Sequence, residues 1–239
     1  MTFAEVLHAW TQPAILQLAA LAGVSVLLWR LPLIGLIFYP FRLFNTFVHE
    51  LSHGLAAVMS GGEFHRFYIH PGRGGQALIR GGSTLLVASA GYLGSALFGS
   101  ALLFLVTSAL ADRTLLVLLG GSLLVLSLAF VRNAFGFVAG LLLAAAMIAA
   151  GMYLPERSIT WLLTFLAIQT ALSALDSLVI LTRISLHRYG AASQSDAQRL
   201  AEYTGIPSLM WSLLWCLVAL GLIIVAVTLA YRNVPLPQT

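Results

Sequence analysis

The feature that most constrains this chain is a series of apolar stretches, each close to the roughly 20 residues that a helix needs to cross a bilayer. Of the 239 residues, 60% are hydrophobic and only 8% are charged, whereas soluble domains carry about 25% charged residues. In lipid a helix satisfies its own backbone hydrogen bonds, so these stretches are expected to be membrane-spanning helices. The sequence therefore predicts an all-α integral membrane protein surrounded by a lipid bilayer.

Hydropathy and turn residues predict about seven transmembrane helices. The predicted spans lie near residues 13–29, 33–60, 83–110, 115–131, 134–154, 159–181 and 207–231. The Gly-rich segment 61–82 has alternating apolar residues on either side of Pro71-Gly72, which predicts a short β-hairpin or a re-entrant loop. Segment 195–205 is expected to be a short amphipathic surface helix. Together these elements predict a single polytopic membrane domain, residues 1–239.

The arginines indicate how the chain is oriented. All twelve basic residues are Arg, and the net charge of +4 is spread over the loops, which argues against a nucleic-acid partner. Seven loop arginines fall on one predicted face and four on the other. The richer face is expected to be cytoplasmic, with the amino terminus inside. The richer face holds Arg66, Arg73, Arg80, Arg132, Arg183, Arg188 and Arg199, and the other holds Arg30, Arg113, Arg157 and Arg232.

The stretch HELSH, residues 49–53, places ionisable residues inside the second predicted span. On a helix, His49 and His53 project from one face and can bind one metal ion. Glu50 lies beside that ion, as suits a general base acting on a metal-bound water. Ionisable residues in the middle of a span are costly and are usually functional. The pattern favours a metal site, with a polar packing cluster or an ion path as the alternatives.

A catalytic zinc usually has a third protein ligand, and three aspartates are candidates. Asp112 is expected on the opposite face. Asp196 lies in the surface segment, where it is expected to cap a helix and is the weaker candidate. Asp176 lies in the sixth span, which runs in the same direction as the second. Measured from the span ends, HELSH is about 10–16 Å deep and Asp176 about 8 Å deep. This depth favours Asp176 as the third ligand, and a purely structural buried acid is the other interpretation.

These residues carry a family resemblance. The chain resembles the site-2 protease family of intramembrane zinc metalloproteases, particularly small bacterial members without a PDZ domain. Members combine HExxH in one membrane helix with an Asp in a later one, here Leu175-Asp176-Ser177, where Ser177 departs from the usual Gly. The resemblance implies Zn²⁺ as cofactor, ligands His49, His53 and Asp176, catalytic base Glu50, and a site near the cytoplasmic face of a bacterial membrane.

The expected function is therefore intramembrane cleavage of a transmembrane segment of another membrane protein, within a catalytic core of about 33–181. Asn133 is a candidate for binding the substrate backbone, although capping of a span end is the simpler interpretation. His65 and His70 in the hairpin are expected to be solvated. A transporter or a proton- or metal-conducting protein that uses the same polar cluster is the alternative. A catalytically silent scaffold is a third class, against which the intact HELSH argues.

Overall fold

The computed structural model describes residues 13–29, 31, 34–72, 74–107, 112–187 and 195–231. These residues form helices and one two-stranded antiparallel sheet. The elements are α1 (Pro13–Leu28), a 3₁₀ turn (Ile34–Leu36), α2 (Tyr39–Met59), β1 (Glu63–Ile69), β2 (Gly75–Arg80), α3 (Thr84–Thr107), α4 (Asp112–Phe130), α5 (Ala134–Tyr153), α6 (Glu156–His187), α7 (Asp196–Thr204) and α8 (Ser208–Tyr231). The predicted mostly helical fold with a short hairpin is confirmed.

Helix α3 lies at the centre of the bundle and packs against α2, α6 and α8. Small residues on α3 permit close approach of its neighbours. A Cβ placed on Gly99 would lie 2.8 Å from the backbone nitrogen of Ala171 on α6, so the two helix backbones are in near contact there, as is common between membrane helices. Helices α4 and α5 form a second packed pair beside this core.

The predicted count of about seven spans is not confirmed. In the described part of the chain, five helices are long and apolar enough to cross a bilayer: α3, α4, α5, α6 as far as Leu186, and α8. Helix α1 has 16 residues, a length of about 24 Å against a hydrocarbon core of about 30 Å. Helix α2 has 21 residues but carries Arg42, His49, Glu50 and His53, which lower its hydropathy.

Two predicted helix ends differ from the structure, and both differences matter for the site. The second predicted span began at residue 33, whereas α2 begins at Tyr39 after the 3₁₀ turn. The sixth was predicted to end at residue 181, whereas α6 continues to His187. The membrane-like part of α6 also continues to Leu186, five residues beyond the predicted end of the span. Arg30, Arg73, Arg188 and Arg232, used to predict sidedness, lie outside the described residues, as do residues 108–110 of the third span.

The hairpin is packed tightly against the helices. β1 pairs with β2 from Glu63↔Arg80 to Ile69↔Gly75, with an irregularity between Phe64 and Arg66. Phe64 stacks on Phe130 at the end of α4 with ring centroids 4.7 Å apart. Phe67 is fully buried and also bridges to Val131. These aromatic contacts fix the hairpin at one end of the bundle, beside α2.

Helix α7 is short and amphipathic, as predicted for segment 195–205. The Ser195 side chain accepts a hydrogen bond from the Gln198 N–H at its start, and Gly205 ends it in the left-handed conformation, which glycine adopts at little cost. Ala197 and Leu200 lie on one face and are buried in a cluster with residues of α3, α6 and α8. Apolar burial therefore docks α7 onto the helical bundle.

Candidate metal and catalytic site

Helix α2 brings His49, Glu50 and His53 to the side of the bundle that faces α3, α7 and the hairpin. Glu50 and His53 are buried, and His49 is nearly so. The imidazoles of His49 and His53 meet edge to face with centroids 4.7 Å apart. Their Nε2 atoms lie 3.1 Å apart, which confirms that the i, i+4 spacing directs both rings to one point.

Contacts from α3 fix the orientation of the two rings. Nδ1 of His53 lies 2.6 Å from the carbonyl oxygen of Val87 and donates to it, because a carbonyl only accepts. In the neutral ring this leaves Nε2 as an acceptor, the arrangement that a backbone carbonyl imposes on metal-binding histidines. The ring of His49 packs edge to face on Tyr92, and Tyr92 in turn stacks on Trp215 of α8.

The third member of the cluster is Asp196, in the first turn of α7. Its Oδ2 lies 3.4 Å from Nε2 of His53 and 3.8 Å from Nε2 of His49. Burial raises the pKa of this carboxyl. His53, His49 and the Arg199 guanidinium together lower it by more than burial raises it, so the pKa of Asp196 lies below its ordinary value. Asp196 is therefore a carboxylate at neutral pH, directed at two ring nitrogens.

The three atoms fit a metal ion. Ligand atoms at the 2.0–2.2 Å distances typical of zinc, arranged as a tetrahedron, lie about 3.3–3.6 Å from one another. The observed separations are 3.1, 3.4 and 3.8 Å, and suitable ligand atoms of all three residues lie within 4.8 Å of one another. Two imidazole nitrogens and a carboxylate form a common catalytic zinc donor set. Three electron-rich atoms at such distances are stabilised by a shared cation.

Glu50 lies beside this cluster and against the hairpin. It is 4% exposed, and its carboxylate is within hydrogen-bonding reach of the Ala77 backbone. A Cβ added to Gly75 would lie 2.5 Å from Oε1 of Glu50, so β2 runs directly past the carboxylate. Only glycine leaves room for the Glu50 side chain at that point of the strand.

Gly91 on α3 has a similar role beside the histidines. A Cβ at this position would lie 2.5 Å from Cε1 and Nε2 of His49 and closer still to Nε2 of His53. Such separations are well inside van der Waals contact. The absence of a side chain at Gly91 therefore makes room for the two rings to converge.

A cavity of about 320 Å³ opens next to these groups, at the small end of the range for ligand-binding pockets. One wall is α2, the opposite wall is β2, and α7 contributes Asp196 and Arg199. Both histidines and Glu50 line it. The remaining lining residues described are Asn45, Thr46, Gly74, Gly75, Gln76, Ala77, Ile79, Val87, Tyr92, Ser177 and Ser195.

The structure does not bring Asp176, predicted from the sequence as the third ligand, into this cluster. Its Oδ2 lies 2.9 Å from a guanidinium nitrogen of Arg42, seven residues before His49 on α2. Because α6 continues to His187, Asp176 lies about 16 Å from the helix end instead of about 8 Å. That distance alone would still leave Asp176 level with the histidines. Its contact with Arg42 is what places the carboxylate about two turns of α2 before them.

The other predicted candidates also lie apart from the cluster. Asn133 binds the hairpin: its Oδ1 accepts from the Ile69 N–H at 3.0 Å, and its Nδ2 donates to the Ile69 carbonyl at 2.6 Å. It does not line the cavity described above. His65 is exposed and lies 3.2 Å from Glu63, and the exposed His70 is at the hairpin turn.

Sequence reasoning weighed Asp196 as a ligand but favoured its role as a helix cap. In the structure Ser195 is the cap, which leaves the carboxylate of Asp196 available to the histidines. The sequence did contain a local signal that Ser195 caps the helix and Asp196 does not. Ser195 immediately precedes Asp196, and only one of two adjacent residues can hold the N-cap position. What no local signal provides is the docking of α7 next to α2.

Comparison with known proteins adds one finding. The family model described as peptidase M50B-like matches residues 17–226. Comparison with curated proteins gives no match, and comparison with solved structures gives none either. The matched range includes every residue of the cluster and the hairpin.

Proposed function

We propose a proteolytic function on the premise that this chain belongs to the peptidase M50B-like family, which is the site-2 protease family. Family membership and the five apolar helices indicate a multi-pass membrane protein. The proposed activity is that of an intramembrane zinc metalloendopeptidase, which cleaves a transmembrane segment of another membrane protein. The convergence of His49, His53 and Asp196 beside the buried Glu50 carries the proposal.

His49, His53 and Asp196 are proposed to hold the zinc, and the cavity beside them is where substrate would lie. Zinc in such a site polarises a carbonyl and lowers the pKa of a coordinated water to about 7. Asp176 remains a prediction from the sequence as an alternative third ligand. Its ion pair with Arg42 supports the assignment of Asp196 instead, because a carboxylate bound to a guanidinium is already compensated.

Glu50 is proposed as the general base and then the general acid. Its carboxylate takes a proton from the water that adds to the scissile carbonyl carbon. When the carbon–nitrogen bond breaks, Glu50 returns a proton to the leaving amine. Its position between α2 and β2 supports this role, since the side chain is shielded from bulk water and borders the cavity.

The hairpin is proposed to hold the substrate. A peptide bond in a helix is shielded by its neighbours, so a substrate segment must unwind before it is cut. An extended segment can then pair with the edge of β2 that faces the cavity, as peptides do in strand addition. Gly75 and Ala77 of β2 border both Glu50 and the cavity, which supports this placement.

The proposal also covers location and partner. The proposed substrate is another membrane protein with a transmembrane segment, and the proposed membrane is the bacterial cytoplasmic membrane with the amino terminus of this chain inside. The arginine distribution supports that orientation. Labelling of single cysteines introduced at Glu63 and Glu156 in intact cells would test it, because the prediction places these residues on opposite sides of the bilayer.

The deciding experiment replaces Glu50 by Gln in protein purified and reconstituted with a single-span substrate. Because proton transfer by a positioned side chain contributes about 10²–10⁴-fold, E50Q is expected to lower kcat by that factor and to retain its metal. The matched control is E63Q, an exposed hairpin acid paired with His65, which should cleave like the wild type. Cleavage by E50Q at the wild-type rate would reject Glu50 as the base.

A further inference from the structure

Asn45 is a buried polar residue that the catalytic scheme above leaves unexplained. It lies on α2, one turn before His49, and is 6% exposed. Its side chain lines the cavity. The Oδ1 atom is buried and has no hydrogen-bond partner within the part of the chain that the structure describes.

An unpaired buried amide oxygen is costly. Such a group forgoes its hydrogen bonds to water at a penalty of about 1–3 kcal/mol, and Asn is also a weak helix former. The adjacent Thr46 shows how a polar residue on a helix usually avoids this cost, since its hydroxyl donates to the Arg42 carbonyl four residues earlier. Asn45 instead lies in the wall of the cavity, where a bound molecule can supply the missing donor.

The distance along α2 from Asn45 to the metal cluster indicates which group of a bound substrate can donate a hydrogen bond to Asn45 Oδ1. Four residues of helix separate Asn45 from His49, a rise of about 6 Å. An extended peptide advances about 3.3 Å per residue, so two of its residues cover the same distance. A substrate strand lying between α2 and β2 with its scissile bond at Glu50 and the histidines thus passes Asn45 two residues away.

We propose that Asn45 binds substrate by accepting a hydrogen bond at Oδ1 from a backbone N–H located two residues from the scissile bond. The inference rests on the proposed protease function and deepens it. Asn45 contacts a main-chain group that every substrate offers once it has unwound. Binding by Asn45 therefore favours an extended substrate segment over a helical one, because in a helix that N–H is already hydrogen-bonded. The preference does not depend on the side chains of the substrate.

The test combines variants of Asn45 with modified substrates. N45L keeps the approximate shape of the side chain and removes its polar atoms, and N45A removes the bulk as well. Both are expected to lower kcat/KM about tenfold, the size of one hydrogen bond to a buried group. Metal content should be unchanged. The thermal midpoint of N45L should not fall, because the replaced oxygen has no hydrogen-bond partner among the described residues.

Synthetic single-span substrates then locate the hydrogen bond. In two such substrates an ester replaces the amide, so that an N–H is lost two residues before or two residues after the scissile bond. One of the two is expected to reduce wild-type kcat/KM about tenfold and to cause no further loss with N45L or N45A. The matched control is S127A, which removes a buried hydroxyl outside the cavity that has no partner in the described part of the chain and should behave like the wild type with every substrate.

The outcomes separate this inference from the proposed function. If the wild type cleaves while N45L and N45A cleave equally well, Asn45 binds no substrate and the protease function stands. If both variants are slower but each ester still costs them the full tenfold, the residue acts through folding and the inference is overturned. If the metal-loaded wild type cleaves no membrane-embedded substrate, both the function and the inference fail.

Discussion

Helix α2 contacts a carboxylate from another helix at two levels, and the two contacts differ in which side chain of α2 faces the carboxylate. Toward the interior, Asp176 of the long helix α6 pairs with the guanidinium of Arg42 at 2.9 Å. About two turns later, Asp196 of the short helix α7 faces Nε2 of His53 and of His49 at 3.4–3.8 Å. In the first pair a fixed cation already balances the acid. In the second, two imidazole nitrogens and a carboxylate converge on one point, an arrangement suited to a metal ion.

The comparison teaches that the two acids differ chiefly in the chemistry of the partner that each carboxylate contacts. Arg42 additionally lies over the ring of Trp29, 4.6 Å from its centroid, so the deeper acid belongs to a packing arrangement among α2, α6 and the end of α1. Asp196 is held by a docked surface helix. A ligand on α7 also makes the site depend on a segment that lies outside the spans.

The largest expected effect comes from removing the two acids separately. D196A should lower metal affinity by more than 100-fold, since even partners behind the ligands contribute 10–100-fold. D176A should retain the metal but lose about 1–3 kcal/mol of unfolding free energy, because the partly buried Arg42 loses its ion pair with Asp176. Metal content after dialysis and thermal unfolding measure the two effects.

The same pair of variants can overturn the assignment. If D176A loses its metal and D196A keeps it, the sequence-based ligand set is correct and the contact of Asp196 with the histidines is incidental. E202Q is the matched control on α7, because Glu202 is exposed and bonds only to Gln198 among the described residues. Its metal content should equal that of the wild type.

A smaller effect is expected from filling the space between α3 and the histidines. The methyl group in G91A would overlap both imidazoles, and such overpacking costs about 1–3 kcal/mol. Metal affinity should fall about tenfold to 100-fold, measured by competition with a chelating dye. In contrast, G121A places its methyl group in open space and should leave affinity unchanged. Equal affinities for G91A and wild type would show that the rings do not converge beside Gly91.

The smallest effect concerns the cap that frees Asp196 for the cluster. S195A removes the hydrogen bond from the Gln198 N–H to the Ser195 hydroxyl, and loss of an N-cap typically costs about 1 kcal/mol. Because α7 must be formed and docked to present Asp196, metal affinity should fall up to about fivefold. S195D, which restores a capping oxygen, should recover most of it. If S195A bound the metal as tightly as the wild type, the helix cap would have no effect on the metal cluster.

Much of the site was predictable because its geometry is local. The spacing of His49, Glu50 and His53 on a helix determines that the two rings share a face, and the structure places their Nε2 atoms 3.1 Å apart. The glycines and alternating apolar residues of 61–82 predicted the hairpin that now borders Glu50. The choice between Asp176 and Asp196 was not local, because it depended on how α6 packs against α2 and on where α7 docks.

By itself the sequence determined the membrane-like helices, the hairpin, the capped surface helix and the paired imidazoles, because each follows from contacts within about one turn or one strand pair. Tertiary structure alone decided which carboxylate joins the imidazoles. Burial of Ala197 and Leu200 against α3, α6 and α8 holds α7 over the histidines, and the packing of α6 against α2 places Asp176 beside Arg42. Both results bring together residues more than 100 positions apart in the chain, Asp196 with the histidines and Asp176 with Arg42, which no local pattern encodes.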